Sequence, residues 1–114
     1  EKAQGSMQVS GRDMVTGLPR VVEVPAKEIA VAMSEIIHQI LDAVKDVLEQ
    51  TPPEISADVI DHGIVLTGGG AMLRHLAEMI SKETQVPAFV ANDPLDCVAL
   101  GTGAILANPS LMKK

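Results

Sequence analysis

The clearest pattern along the chain is a long stretch in which apolar residues recur every three or four positions. It runs from Pro25 to Gln50, and charged or polar residues occupy the remaining face. This spacing predicts one amphipathic helix of about 24 residues, or ~36 Å. Pro25 suits the first turn of such a helix, and Thr51-Pro52-Pro53 ends it.

Two short segments before this helix alternate in part between apolar and polar positions. They cover residues 7–12 and 20–24, and the connection between them contains Gly17 and Pro19. Strand-like runs that are separated by turn-forming residues predict a β-hairpin with a long loop.

The remainder of the chain alternates between helical and strand patterns. It predicts, in order, a short helix over 54–61, a strand over 62–67, a helix over 71–84 and a strand over 87–91. A last helix follows, which Asp93-Pro94 caps and opens and which ends near Ala107. A βαβα order indicates a parallel sheet, and the first strand is apolar on both faces, as a parallel strand covered on both sides is. Two strands make a poor sheet alone, so we expect further strands from outside this sequence or from a second copy.

Composition and charge narrow the classes of function. Phe89 is the only aromatic residue among 114, and the net charge is −6, so a nucleic-acid partner is not expected. Cys97 is the only cysteine, which excludes an intrachain disulfide and a cysteine metal cluster and fits a cytoplasmic setting. The first residues lack the apolar core of a signal peptide, and no apolar run reaches ~18 residues. Because the first residue is not Met and the sequence begins in the middle of a pattern, we expect the chain to be cut from a longer protein.

Three consecutive glycines, Gly68 to Gly70, join the predicted buried strand to the next helix. A backbone without Cβ atoms adopts positive φ and lies flush against a flat ligand, and a following helix start offers N–H groups to phosphate or ribose oxygens. A nucleotide site at the carboxyl end of a parallel strand is one interpretation. A tight turn that contacts only protein is the other, and the spacing does not decide between them. The pattern is neither a P-loop nor a dinucleotide fingerprint, because Leu73 stands where the latter needs its third glycine.

Other residues that carry chemistry have plainer interpretations. The three histidines lie far apart in sequence, so surface or partly packed histidines are expected rather than a metal or catalytic site. Asp93 and Asp96 could form a pair of carboxylates, but their place beside a helix start favours capping.

Three segments make the chain similar to a known family. VSGRDMVTGLPR, VLEQTPPEISADVIDHGIVLTGGGAMLRHL and DPLDCVALGTG occur in this order and resemble MreB, the family of bacterial actin-like proteins of rod-shape determination. The run TGGGAML is similar to the adenosine-binding motif that actin, Hsp70 and sugar kinases share. A fragment of a sugar-kinase or Hsp70-type ATPase is therefore the alternative, and the segments around the glycines favour MreB over it.

The resemblance implies an α/β fold that is part of an actin-like (ribonuclease H-like) ATPase domain. Residues 1–28 would then be a β-hairpin and helix start of subdomain IIB, and residues 29–114 a partial subdomain IIA with the adenosine motif. The run ALGTGAIL resembles the hinge helix, in which Gly101 and Gly103 would pack against another helix.

The resemblance also implies ATP as the ligand, with Mg in the full-length parent. The adenosine-binding turn carries over to Gly68, Gly69, Gly70 and Ala71, with Met72 as a neighbour. The phosphate-binding loops, the magnesium-binding acids and the water-positioning acid of the family would lie upstream. Because phosphoryl transfer needs these parts together, we expect that the fragment does not hydrolyse ATP and binds it weakly or not at all.

For the parent protein, the resemblance implies filaments that direct cell-wall synthesis and rod shape. It implies head-to-tail self-association, adaptor proteins of cell-wall elongation as partners, and membrane contact through segments absent from this chain. Heterologous contacts of this kind generate open filaments. Because the fragment would leave a sheet edge exposed, we expect it to form a dimer or a swapped oligomer.

Overall fold

The computed structural model describes residues 4–113. Its strands and helices are β1 Ser6–Arg12, β2 Pro19–Pro25, α1 Ala26–Gln50, α2 Pro53–His62, β3 Ile64–Leu66, α3 Leu76–Thr84, β4 Ala88–Val90 and α4 Cys97–Ala107. Short 3-10 turns cover Gly69–Met72 and Pro109–Met112. The chain divides into two compact units, residues 1–43 and 44–114, which are described separately below. The predicted subdomain assignment of residues 1–28 and 29–114 stays a prediction. Residues 1–3 and 114, at its two ends, lie outside the described residues.

The first unit contains the predicted β-hairpin. Strands β1 and β2 are antiparallel, and Met7 is opposite Val24 while Val9 is opposite Val22. Since side chains alternate between the faces of a strand, these four residues share one face of the hairpin. The alternation in the sequence therefore predicts the hairpin correctly.

The loop between β1 and β2 is organised by one carboxylate. Asp13 Oδ1 accepts hydrogen bonds from the backbone N–H groups of Val15 at 2.8 Å and Thr16 at 3.0 Å, and Oδ2 pairs with Arg20 Nη1 at 3.1 Å. The amides of Thr16 and Val15, followed by the guanidinium of Arg20, lower the pKa of Asp13 below its ordinary value of 3.8. The loop thus has a fixed shape although it lies at the surface.

Helix α1 confirms the long amphipathic pattern. It runs for 25 residues and ends at Gln50, directly before the predicted Thr51-Pro52-Pro53 stop. Leu41 on this helix is buried, with 3% of its surface exposed. Within residues 4–113, no helix is both long enough and apolar enough to cross a membrane.

The second unit is built on a parallel pair of strands. Ile64 is opposite Ala88 and Leu66 is opposite Val90, and α3 packs on β4. Its core is small and aliphatic, and the 3-10 turn Gly69–Met72, helix α3 and the loop before β4 contribute to it. The buried side chains are Ala71, Leu76, Ile80 and Val86.

Much apolar surface of the second unit lies open. Val65 in β3 is 52% exposed, so the prediction that this strand is covered on both faces is wrong for residues 4–113, where the sheet has two strands. Helix α4 is apolar on every side, and Val98 and Leu106 on it are 77% and 82% exposed. A Cβ atom on Gly101 or Gly103 would meet no described atom within 4 Å, so their packing against another helix stays a prediction.

The sequence pattern places two helix starts too early. Helix α3 begins at Leu76 rather than at residue 71, because a 3-10 turn and a left-handed His75, with φ of 65°, come first. Helix α4 begins at Cys97, because Asp93 adopts a positive φ of 47° and redirects the chain. Asp96 stands at the N-cap of α4, beside the helix start as predicted, but it makes no side-chain capping hydrogen bond.

Candidate functional site

The three glycines lie at the carboxyl end of β3, where the sequence places them. The backbone leaves the sheet after Leu66 and passes through Gly68 with φ of 84° and ψ of 177°. This positive φ is costly for residues with a Cβ atom, so the backbone conformation explains why a glycine stands at position 68. The conformation turns the chain away from the sheet and into the 3-10 turn Gly69–Met72.

The glycine turn is open on its outer side. A Cβ atom added to Gly68 or Gly70 would meet no described atom within 4 Å, and at Gly69 it would meet only Leu95 Cδ2, at 3.6 Å. Gly69 and Gly70 are exposed and Gly68 is half-buried. A Cβ would therefore have open space at Gly70 and an ordinary contact distance at Gly69, so packing within residues 4–113 does not explain why side chains are absent there.

The two further residues of the predicted site face in different directions. Ala71 is 6% exposed and belongs to the core of the second unit, so only its backbone is available to a ligand. Met72 is 60% exposed and lies at the end of the same 3-10 turn. The five predicted residues thus form one continuous turn, in which Gly68, Gly69, Gly70 and Met72 contribute the accessible surface.

The polar groups offered by this turn differ from those that the sequence predicts. The expected α-helix N-terminus lies further along, at Leu76. The turn contains 3-10 hydrogen bonds instead, from Ala71 N–H to the carbonyl of Gly68 at 3.3 Å and from Leu73 N–H to the carbonyl of Gly70 at 3.1 Å. The first N–H groups of any helical turn have no partner inside it, so Gly69 and Gly70 begin the turn with amide donors.

A second loop lies against the glycines, and sequence reasoning does not identify it. The N–H of Gly68 donates to the carbonyl of Pro94 at 2.7 Å, and Leu95 lies beside Gly69. A signal for this proximity exists in the sequence, because loops that follow neighbouring parallel strands meet at the same edge of a sheet. Asp93 and Asp96, which the sequence singles out, flank the two contacting residues.

The remaining candidate residues are engaged locally. His38 and His62 donate from Nδ1 to the carbonyls of Ser34 and Asp58, each four residues earlier. His75 pairs with Glu78 at the start of α3. Among residues 4–113, no three His, Cys, Asp or Glu side chains are grouped as a metal site requires.

Comparison with curated proteins identifies close relatives. The chain is 49% identical over 108 residues to the cell shape-determining protein Mbl of Bacillus subtilis, covering 95% of this chain and 32% of that protein. It is 45% identical over 100 residues to the cell shape-determining protein MreB of Escherichia coli, covering 88% of this chain and 29% of that protein. The chain thus spans about a third of the length of the relatives it matches.

Solved structures agree with these relatives. MreB5 of Spiroplasma citri bound to ADP superposes with a TM-score of 0.83 at 37% identity, over 90% of this chain and 31% of that chain. The same protein bound to AMPPNP gives a TM-score of 0.84 at 35% identity, over 96% and 32% of the two chains. The predicted fold class, part of an actin-like (ribonuclease H-like) α/β domain, is confirmed by this likeness.

The family match covers the whole chain and decides between the two classes that the sequence leaves open. The model of the family described as MreB/Mbl protein matches residues 1–114, so the sugar-kinase or Hsp70-type alternative is set aside. Together with an actin-like fold and relatives that determine cell shape, this match shows that the chain belongs to the MreB/Mbl family.

Proposed function

We propose that this chain is a segment of a longer ATP-binding protein and supplies the turn that receives adenine and ribose. The observation that carries the proposal is the open backbone of Gly68–Gly70 at the carboxyl end of a parallel strand. The two MreB5 structures that resemble the chain hold ADP and AMPPNP, which supports a nucleotide as the ligand.

In this proposal the chain binds and orients one end of the nucleotide. Gly69 and Gly70 present backbone to the base and ribose, since a Cβ on Gly70 would meet no described atom within 4 Å and one on Gly69 would meet only Leu95. Met72 borders the same turn with an exposed side chain. Mg and the phosphates are assigned to other segments of the longer protein, so this chain alone is expected to bind ATP weakly or not at all.

A bulky residue in the turn tests the proposal directly. In the full-length protein, Gly70→Val puts a side chain into the space assigned to the ligand, and nothing described within 4 Å opposes it in the fold. We expect the Kd for ATP, measured by titration calorimetry with Mg, to rise about tenfold or more, which corresponds to about 1.4 kcal/mol. Gly11→Val is the matched control, because a Cβ at Gly11 in β1 also meets nothing within 4 Å.

Two results would contradict the nucleotide proposal. The first is a wild-type protein that shows no ATP binding in this titration. The second is a Gly70→Val protein that binds ATP as tightly as the Gly11→Val control does.

We further propose that the longer protein polymerises into filaments that direct cell-wall synthesis and rod shape. Family membership and relatives named for determining cell shape support this role. The proposed location is the cytoplasm, at the membrane through segments outside this chain, with adaptor proteins of cell-wall elongation as partners. Sedimentation of the full-length protein with ATP is the test: we expect pelleted polymer, and protein that stays in the supernatant under all nucleotide conditions would contradict it.

A further inference from the structure

The loop between β1 and β2 carries the two most exposed large apolar side chains among residues 4–113. Met14 and Val15 are each 96% exposed. They also border one groove with Val9 and Val22, which lie opposite each other on the apolar face of the hairpin. An exposed apolar surface that continues in this way is typical of a site where another protein docks.

Hydrogen bonds hold this loop in one shape. The carboxylate of Asp13 accepts the N–H of Val15 at 2.8 Å, and the carbonyl of Asp13 accepts the N–H of Gly17 at 2.8 Å. Arg12 Nε donates to the carbonyl of Gly17 at 3.1 Å. Because the backbone is already ordered, a partner that contacts Met14 pays little for fixing the loop.

The charge around the loop favours a second copy of the same protein as the occupant. Arg12 and Arg20 are exposed beside the apolar side chains and outnumber the one carboxylate there, Asp13, so the loop is positive. The chain as a whole has a net charge of −6. A positive apolar loop is complementary to the acidic surface of another copy. This step rests on the proposed function, in which copies of the longer protein assemble into filaments.

We propose that Met14 is an oxidation site that controls this contact, because a peroxide converts its thioether to a sulfoxide and the sulfoxide weakens docking on the next copy. With hydrogen peroxide, the O–O bond breaks, one oxygen atom forms a bond to Sδ and the other leaves as water. The sulfur loses two electrons and the peroxide gains them. The product is a polar side chain in place of an apolar one, and its oxygen must lose bound water when the loop docks.

Met14 is the methionine that an oxidant reaches most easily within residues 4–113. The next most exposed is Met112, at 71%, followed by Met7 at 61% and Met72 at 60%. An oxidant must approach the sulfur from solvent, so the exposure of a side chain favours its oxidation. Met14 is therefore expected to be oxidised at a lower dose of peroxide than these three.

The test is sedimentation of the full-length protein with ATP, before and after treatment with hydrogen peroxide. Mass spectrometry of peptides measures the fraction of Met14 sulfoxide. We expect treatment to raise the critical concentration for polymer about fivefold, as the loss of part of a methionine contact predicts. Met14→Leu keeps an apolar side chain without a sulfur, and its critical concentration should stay within twofold after treatment. Met112→Leu is the matched control and should remain as sensitive as the wild type.

A second variant tests the same contact without an oxidant. Met14→Gln places a polar side chain of similar length in the loop, and it is expected to raise the critical concentration by about the same factor. If Met14→Gln instead assembles like the wild type, the inference is overturned.

Three other results also decide the inference. Equal loss of polymer in treated wild type and treated Met14→Leu shows that another group is responsible. Normal assembly of protein in which Met14 is fully oxidised shows that the sulfoxide has no effect. A Met14 that peroxide modifies only after unfolding in urea is covered by residues outside this chain. Each of these overturns the inference and leaves the proposed function standing, whereas untreated wild type that forms no polymer overturns both.

Discussion

Two glycines of the second unit occur for different physical reasons. Gly63 has a φ of 84°, and a Cβ on it would lie 2.7 Å from the carbonyl oxygen of Pro87 and 3.2 Å from Cε1 of Phe89. A Cβ on Gly70 would meet no described atom within 4 Å. Packing thus accounts for Gly63, whereas packing within residues 4–113 does not account for Gly70.

This difference predicts opposite results for one substitution at the two positions. Gly63→Ala is expected to lower the free energy of unfolding by about 1–3 kcal/mol or more, from the positive φ and the clash together. Gly70→Ala is expected to leave it nearly unchanged. Urea unfolding of the full-length variants measures both, and equal losses at the two positions would contradict the packing argument.

The hairpin loop gives a prediction for pH. The folded-state pKa of Asp13 lies below 3.8, because the ionised carboxylate accepts the amides of Thr16 and Val15 and pairs with Arg20. Its stabilisation of the loop is therefore complete above pH of about 4 and is lost as the pH falls through the lowered pKa. Hydrogen exchange of the Val15 and Thr16 amides, followed by NMR, should show protection that declines only as the pH falls below about 4.

Asp13→Asn provides the control for that titration. The amide side chain keeps an oxygen acceptor but does not ionise, so the acid-dependent step in exchange should disappear. An unchanged step in this variant would show that another group is responsible.

At the scale of elements, helix α3 and the two short strands hold the glycine turn in place. Ile80 on α3 is the most buried side chain among residues 4–113, at 2% exposed, and it belongs to the same small core as Ala71 of the turn. The Oγ of Ser81 accepts the N–H of Ala88 at 2.7 Å, which ties α3 to β4. A change in the packing of α3 should therefore be transmitted to the candidate site.

Removal of the Ile80 side chain measures the strength of this support. Ile80→Ala is expected to cost about 2–5 kcal/mol of unfolding free energy, from lost burial and the cavity that remains. Ile60→Ala in α2 is the matched control, since Ile60 is 57% exposed and should cost far less. Thermal unfolding of both full-length variants measures the loss of stability. A loss in Ile60→Ala as large as that in Ile80→Ala would contradict the assigned core.

The elements were predictable where their patterns are long or strongly alternating. The spacing over α1 and the proline pair after it determine that helix within a residue at either end. The start of α3 was not predictable. Leu73 continues the helical spacing, whereas His75 adopts a left-handed conformation that the pattern of apolar residues does not indicate. Helix α4 was placed too early for the same kind of reason, since Asp93 has a positive φ instead of a capping role.

The candidate site was predictable only in part. Three glycines after an apolar strand identify the turn from sequence alone, because the predicted role of each glycine depends on its own backbone and not on a distant residue. The contact of Pro94 with the turn follows from β4 pairing beside β3, which the βαβα order predicts. Which residues of the loop reach the glycines depends on the positive φ of Asp93, and no local pattern specifies that conformation. The buried position of Ala71 likewise depends on the packing of α3 over the turn.

At the scale of the whole molecule, apolar surface is the dominant property. Helix α4, the open face of Val65 and the hairpin face around Val9 all expose large aliphatic side chains. A mean hydropathy of +0.23 is reached with 46% apolar residues and a single aromatic one. Exposed patches and sheet edges of this kind promote association.

The isolated chain is therefore expected to associate in solution. Light scattering at ~100 µM should give a mass above the 12.0 kDa of one chain, as open edges and apolar patches predict. The full-length protein without nucleotide is the comparison, because its additional residues are expected to cover these surfaces. A monomeric isolated chain at that concentration would contradict this prediction.

The most direct test of the account is a crystal structure of the full-length protein with a non-hydrolysable ATP analogue. We expect the base and ribose to lie in van der Waals contact with the backbone of Gly69 and Gly70. A nucleotide bound elsewhere, with the Gly68–Gly70 turn covered by other side chains of the protein, would contradict it.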